Sequence, residues 1–92
     1  MTFPLRRFTV HGNSMLPTLK SGQDVLVWYW FLNPKIGDLV AIKVNGKEMV
    51  KRIQSTNGRR YFVVGDNEKE STDSRNFGWI RKSEIIGKVV WY

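Results

Sequence analysis

Two Asn-Gly dipeptides, Asn45-Gly46 and Asn57-Gly58, constrain the fold of this chain more than any other sequence feature. Asn and Gly tolerate the positive φ angles that a tight hairpin turn requires, so each dipeptide predicts antiparallel pairing of the segments on either side. The segment between them, residues 48–54, has the β-branched content of a strand. It is therefore predicted to pair with a strand at residues 39–44, and the second turn is predicted to lead into a strand at residues 61–64.

The rest of the chain also has the pattern of strands. Residues 8–11, 24–31 and 84–91 are predicted strands, and both faces of the second of these are apolar. Residues 66–76 are polar and show no periodicity, which is typical of a loop. Ninety-two residues suffice for one core. The sequence therefore predicts an all-β protein with a single domain, residues 1–92.

Charge and composition limit the partners that the chain can have. Its 15 Lys and Arg residues against 8 Asp and Glu give a net charge of +7, which favours acidic lipid headgroups, nucleic acid or an acidic protein without choosing among them. The absence of cysteine and the single histidine exclude a disulfide framework and argue against structural zinc. We expect no metal and no other cofactor. The longest apolar run has eight residues, 25–32, against the ~20 that span a bilayer, and no export signal precedes it.

One serine lies in a segment that suits a nucleophile. Ser14 follows the first predicted strand and stands between a glycine and a Met-Leu-Pro segment. Gly12 can adopt backbone angles closed to other residues, and Pro17 has a fixed φ and donates no amide hydrogen. The segment therefore predicts a bend that presents the Ser14 hydroxyl rigidly.

A serine nucleophile needs a base within hydrogen-bond reach, and the sequence offers two candidates. His11 is the only histidine, but no carboxylate is identifiable to orient it, and such a histidine is more often a strand-end residue. Lys51 shares one face of its predicted strand with Met49 and Ile53. Burial between apolar side chains can lower a lysine pKa and give the neutral amine that a base requires. The same pattern also describes a solvated lysine on an edge strand, so it leaves both interpretations open.

Four ordered segments resemble the sequence boxes of the type I signal peptidases, which are Ser/Lys proteases. They are residues 14–19, Gly37-Asp38, Lys51-Arg52, and a last box of Gly65-Asp66-Asn67 with Ser71, Asp73-Ser74-Arg75 and Gly78. A Ser-Met pair alone would be a weak signal, but four boxes in family order make a strong one. The resemblance covers residues 10–89. It implies a small twisted antiparallel sheet or partly open barrel with polar loops.

The resemblance also implies an active site, with Ser14 as nucleophile and Lys51 as general base. It implies that Ser71 forms a hydrogen bond with the lysine and that Asp73 and Arg75 form an ion pair that fixes the loop beside the site. The other residues that it places around the site shape the oxyanion hole or the turns: Gly12, Asn13, Met15, Asp66 and Asn67.

Three features depart from the common family pattern. Gly12 stands where many members have a second serine, so the oxyanion hole would depend on the Ser14 amide. Gly22-Gln23-Asp24 replaces an adjacent Gly-Asp pair. Only residues 53–64 separate the lysine box from the last box, which suggests a catalytic core alone. The chain also contains no anchor segment, so it is expected to be membrane-peripheral if an anchor lies outside it, and otherwise a cytoplasmic member acting on a soluble precursor.

The aromatic cluster at residues 28–31 has three interpretations. Such a run is most often core, next an aromatic rim that contacts a membrane surface, and last a platform that stacks on nucleic acid. The Trp91-Tyr92 pair at the C-terminus is a candidate extension of the same surface.

Two functions from different classes follow. The first is a serine endopeptidase that removes an N-terminal leader or signal peptide from a precursor protein, with small residues favoured before the cleaved bond, peripheral membrane contact and no nucleic-acid partner. The short architecture also resembles the nickel superoxide dismutase maturation proteases. The alternative is a small basic β-barrel that binds nucleic acid, with Ser14 and Lys51 as ordinary surface residues. The ordered boxes favour the peptidase.

Overall fold

The computed structural model describes residues 4–30 and 33–92, which form a seven-stranded antiparallel sheet. Its strands are β1 (Leu5–Thr9), β2 (Asp24–Trp28), β3 (Leu39–Val44), β4 (Lys47–Thr56), β5 (Arg60–Val64), β6 (Ile80–Arg81) and β7 (Ile85–Trp91). Their order across the sheet is β1-β2-β7-β3-β4-β5-β6, and the sheet stays open. Helix α1 (Ser74–Phe77) and 3-10 turns at Glu68–Glu70 and Lys82–Glu84 complete the fold. The all-β prediction is confirmed. No helix among the described residues is both long and apolar enough to cross a membrane.

Both Asn-Gly dipeptides form turns, but the two turns differ in length. Asn45 (φ 51°) and Gly46 (φ 78°) both lie in the left-handed region and connect β3 to β4 as a two-residue hairpin. The second turn takes in residues 57–59, because the Asn57 side chain accepts hydrogen bonds from the amides of Arg59 and Arg60. The predicted antiparallel pairing of β3, β4 and β5 is confirmed.

Several strand boundaries differ from the prediction. The first strand is Leu5–Thr9 rather than residues 8–11, because the chain turns into the β1–β2 loop after Val10. The last strand begins at Ile85, since the preceding residues form a 3-10 turn in which Glu84 accepts from the Arg81 amide. Strand β2 ends at Trp28. The predicted continuation through Tyr29 and Trp30 is wrong, because the chain bends after Trp28, and Phe31 lies outside the described residues.

The core consists of two apolar clusters. The first packs β1, β2 and the loop between them against β3, β4 and β7, and the second lies along β3 to β6. On β2, Val25 and Val27 are fully buried, whereas Trp28 is 36% exposed. Trp30, just beyond the strand, is 58% exposed. The core interpretation is therefore wrong for these two tryptophans, because only one face of β2 packs on the interior.

The pairing of β4 positions the site. Residues Lys47–Arg52 pair with β3, but only Arg52–Thr56 pair with β5. The backbone of residues 47–51 therefore has one open edge. Within residues 4–30 and 33–92, strand β1 pairs only with β2 and has an open edge as well. These two edges form the walls of a cleft.

Candidate active site

The serine lies in the turn between β1 and β2. Met15 and Leu19 are 1% and 0% exposed and anchor this turn in the first core cluster. The Leu19 amide donates to the Met15 carbonyl over 2.9 Å, which closes a single helical turn. Gly12 has φ +81°, a conformation that favours glycine, and its amide donates to the Ser21 hydroxyl over 3.0 Å. Within the described part of the chain, neither the amide nor the hydroxyl of Ser14 donates a hydrogen bond, so both are available to a substrate.

The loop after β5 holds the serine turn from the other side. The Asn67 amide donates to the Ser14 carbonyl over 2.8 Å, and the Asn67 side-chain amide donates to the Asn13 carbonyl over 3.0 Å. Asp66 accepts a bidentate pair of hydrogen bonds from Arg52, at 2.9 and 2.8 Å, and a further one from Thr18. The hydrogen bonds from Arg52 lower the pKa of Asp66. These contacts tie the loop both to the end of the serine turn and to β4, one residue after Lys51.

Gly65 lies between the serine turn and the part of the loop that carries Ser71. A Cβ atom at this position would collide with the Ser71 hydroxyl and would lie 2.5 Å from the Ser14 carbonyl oxygen. Only glycine therefore allows the serine turn and the loop to approach each other this closely.

We expect Gly65→Ala to reduce cleavage activity at least about tenfold and to lower the free energy of unfolding by about 1–3 kcal/mol, as overpacking does. Peptide cleavage and thermal melting would measure the two effects. The matched control is Gly58→Ala, because a Cβ at Gly58 meets nothing within 4 Å. It introduces backbone strain away from the site, so its activity after correction for folded protein should be normal. Equal activity losses in both variants would contradict this account.

Lys51 lies where β4 has an open edge, but its side chain is buried and only 3% exposed. It lies opposite Val40 on β3, and its Nζ donates to the Ser71 hydroxyl over 3.1 Å. Burial lowers the pKa of Lys51, Asp73 partly opposes this, and the nearby cations Arg75 and Lys47 lower it further. The solvated edge-strand interpretation of this lysine is therefore wrong.

Asp73 organises the loop behind the lysine. Its carboxylate is completely buried and accepts from the Ser71 hydroxyl at 2.6 Å, from the Gly65 amide at 2.9 Å and from the Arg75 guanidinium at 2.9 and 2.6 Å. It also caps α1 by accepting from the Arg75 amide. Burial alone would raise the pKa of Asp73, but these hydrogen bonds hold it well below its ordinary value. Arg75 has a second acidic partner, Glu68, at 3.1 Å, so loss of Asp73 would not leave Arg75 unpaired.

The hydrogen bonds from Lys51 to Asp73 run in one direction. The lysine donates to Ser71, and Ser71 donates to the carboxylate. A neutral amine bound in this way keeps its lone pair free for another proton. The charge of Asp73 is separated from the amine by the hydroxyl, which limits the tendency of the carboxylate to keep the lysine protonated.

Ser14 and Lys51 line the same cleft, of about 410 Å³. One wall consists of residues 6–9 of β1 and the adjoining Val10. The other consists of residues 47–51 of β4, and Thr72 lies beside them. His11 also lines the cleft, but within the described residues its ring forms no hydrogen bond with Ser14 or with a carboxylate. No cluster of three His, Cys, Asp or Glu side chains in residues 4–30 and 33–92 could hold a metal ion.

Several residues at or beside the site were not assigned a role from the sequence, among them Gly65, Thr18 and Thr72. Gly65 separates the serine turn from Ser71, Thr18 bonds to Asp66, and Thr72 lines the cleft. Gly65 could have been found, since a glycine that directly follows a buried strand often marks a close backbone approach. Thr18 and Thr72 carry no signal of this kind.

Comparison with known proteins identifies the class to which this fold and site belong. The family model described as Peptidase S24-like matches residues 5–90. The chain therefore belongs to the Peptidase S24-like family and is a serine peptidase.

Individual relatives point to one branch of these enzymes. The chain is 26% identical to signal peptidase I of Bacillus caldolyticus, with 95% of this chain and 78% of that protein covered. It is 34% identical to the mitochondrial ATP-independent inner membrane protease subunit 1a of Arabidopsis thaliana, with coverage of 88% and 66%. It is 35% identical to signal peptidase IB of Staphylococcus aureus, where it spans only 37% of the relative. These matches confirm the resemblance to type I signal peptidases and do not favour the nucleic-acid alternative.

Proposed function

We propose that this protein removes an N-terminal leader from a precursor protein, with Ser14 as the nucleophile and Lys51 as the general base. The observation that carries the proposal is the buried, hydrogen-bonded lysine in the same cleft as a serine whose hydroxyl donates to no described group. A lysine held in this way has the lowered pKa that general base catalysis needs.

In the proposed mechanism the neutral Lys51 amine accepts the Ser14 hydroxyl proton while Oγ attacks the scissile carbonyl carbon. The Ser14 amide donates to the oxygen that becomes negative. The lysine then gives its proton to the leaving amine, and an acyl-serine remains. A water molecule then gives a proton to the same amine and attacks this ester, and the lysine returns the proton to Ser14 Oγ as the leader is released with a free carboxyl group. Ser71 orients the amine throughout, and Asn67 holds the carbonyl of Ser14 in place.

The open edges of β1 and of residues 47–51 support a peptide substrate. An extended chain placed between them could add backbone hydrogen bonds to both walls, which is how many proteins bind peptides without relying on their sequence. The apolar floor of the cleft includes the buried side chains of Phe8, Val10 and Val50. A floor of this kind, close to the dyad, fits small apolar residues beside the cleaved bond.

Two finer assignments stay predictions. Trp28, Trp30, Trp91 and Tyr92 are exposed, and Trp91 lies opposite Leu26 across the β2–β7 pair. Exposed tryptophan and tyrosine side chains support peripheral contact with a membrane surface. The assignment to the nickel superoxide dismutase maturation type depends on the substrate.

The pH dependence of the rate tests the proposal. At its ordinary pKa of ~10.4 a lysine is only about 0.04% neutral at pH 7. Because the pKa of Lys51 is lowered, its neutral fraction is larger at every pH below that pKa. The catalytic rate for a leader-peptide substrate should therefore rise with pH and level off below pH 10.4.

The control for this experiment is His11→Ala, which should leave the profile unchanged because His11 has no place in the proposed mechanism. A rate that levels off near pH 6.5 in the wild type and disappears in His11→Ala would instead identify an imidazole base.

A further inference from the structure

An ion pair joins the two walls of the cleft at the end away from the dyad. Arg6 on β1 donates from Nη2 to both carboxylate oxygens of Glu48 on β4, at 3.3 and 3.2 Å. Their side chains are 52% and 40% exposed. The Arg6 guanidinium also lies 4.4 Å from the centroid of the Phe8 ring, a cation–π contact that holds it over the cleft floor. The pair therefore connects two strands that share no backbone pairing.

The Arg6–Glu48 pair lies where a peptide bound in the cleft would pass. Glu48 lies three positions before Lys51 on the same strand, which corresponds to about 10 Å at ~3.3 Å per residue. An extended peptide that lies along β4 with its scissile bond level with Lys51 would therefore bring a side chain about three residues from that bond to the Arg6–Glu48 pair. This peptide cannot occupy the gap between the walls there without displacing or contacting the pair.

The charges around the cleft favour an acidic side chain on the substrate. Arg6, Arg7 and Lys47 line it as cations, and Glu48 is the only carboxylate among its described lining residues. Among the described acidic residues, Arg7 is paired with Asp24 alone, at a distance of 4.0 Å. Glu48 is partly exposed and can turn to water at little cost, whereas Arg6 keeps its contact with Phe8.

We infer that Arg6 and Glu48 determine specificity: the peptidase prefers precursors with an acidic side chain about three residues from the cleaved bond, and this carboxylate replaces Glu48 on Arg6. The inference rests on the proposed function and deepens it by naming the substrate class. It is a recognition role, so we expect the effect in KM rather than in kcat.

The test uses alanine-rich fluorogenic peptides with Glu, Gln or Lys placed in turn at the second to fifth positions on either side of the cleaved bond. An exposed ion pair is worth ~0.2–1 kcal/mol, so at one position KM for Glu should be about 1.4- to fivefold lower than for Gln, and KM for Lys should be higher than for Gln. Binding of the same peptides to Ser14→Ala, followed by fluorescence anisotropy, gives the comparison without turnover.

Three variants then locate the preference. Arg6→Gln should abolish it, and the charge-swapped double variant Arg6→Glu with Glu48→Arg should reverse it in favour of Lys. Arg59→Gln is the matched control, since Arg59 is an exposed arginine in the β4–β5 turn and should leave the preference intact.

The outcomes separate this inference from the proposed function. Equal binding of all peptides, or a preference for Glu that survives Arg6→Gln, would overturn the inference even if cleavage occurs. A charge preference in binding without any cleavage by the wild type would support the inference as peptide recognition and reject the peptidase role of this cleft.

Discussion

Replacing Lys51 with methionine is expected to abolish peptide-bond cleavage, with a loss in kcat of about 10⁴-fold or more, as when a member of a serine-protease catalytic set is removed. Methionine has similar length and no ionisable group, so it fills the buried position without supplying a base. Alanine would open a cavity, because Lys51 is 3% exposed. Ser14→Ala should cause a comparable loss for a different reason, since it removes the nucleophile while its neighbours Met15 and Leu19 keep the turn in place.

Lys51→Arg tests whether the site needs a proton acceptor or only a positive charge at this position. A guanidinium keeps its proton throughout the accessible pH range, so the variant should be as inactive as Lys51→Met. Steady-state cleavage of a leader peptide, with circular dichroism to verify folding, measures all three variants. If a well-folded Lys51→Met enzyme retained full activity, Lys51 would not be the base.

The fold was largely predictable because its strongest signals are local. Asn45-Gly46 needs only its own backbone angles to form a hairpin, and the structure has both residues at positive φ. Strand ends were less predictable, since they depend on neighbours in space. Burial depends on neighbours in space as well. Trp28 and Trp30 are exposed, although the apolar pattern on both faces of the predicted strand did not indicate which face would be covered.

The candidate site likewise has features that a local sequence pattern predicts and features that depend on residues distant in sequence. The pattern of residues 49–53 left Lys51 open between a buried base and a solvated lysine, because its burial depends on β3 and on the loop that carries Ser71. The resemblance to a known family supplied the long-range information that periodicity lacks. For Gly65, its place after a strand indicates a close backbone approach, but that the approaching group is the Ser14 carbonyl, distant in sequence, is visible only in the structure.

Asp73→Ala is expected to give the largest loss of stability, about 3 kcal/mol, together with a loss of activity. The carboxylate is completely buried, and its removal leaves the Gly65 amide and the Ser71 hydroxyl without their acceptor. Arg75 keeps Glu68 and is 33% exposed, which moderates the effect. Ser71→Ala is the matched comparison, because it removes the hydrogen bond to Lys51 but leaves the Asp73–Arg75 pair. It should reduce activity with only a slight change in stability.

Acidification tests whether the charge of Asp73 causes this stabilisation. Because the folded protein holds the pKa of Asp73 below its ordinary value, the ionised carboxylate stabilises the fold fully above the unfolded-state pKa of ~3.9, and this contribution is lost as the pH falls towards the lowered pKa. Denaturant unfolding of wild type and Asp73→Ala should therefore differ most at neutral pH and converge below pH ~4. A difference that stays constant down to low pH would mean that Asp73 acts through packing alone, and the ion pair with Arg75 would then not be what anchors the loop behind Lys51.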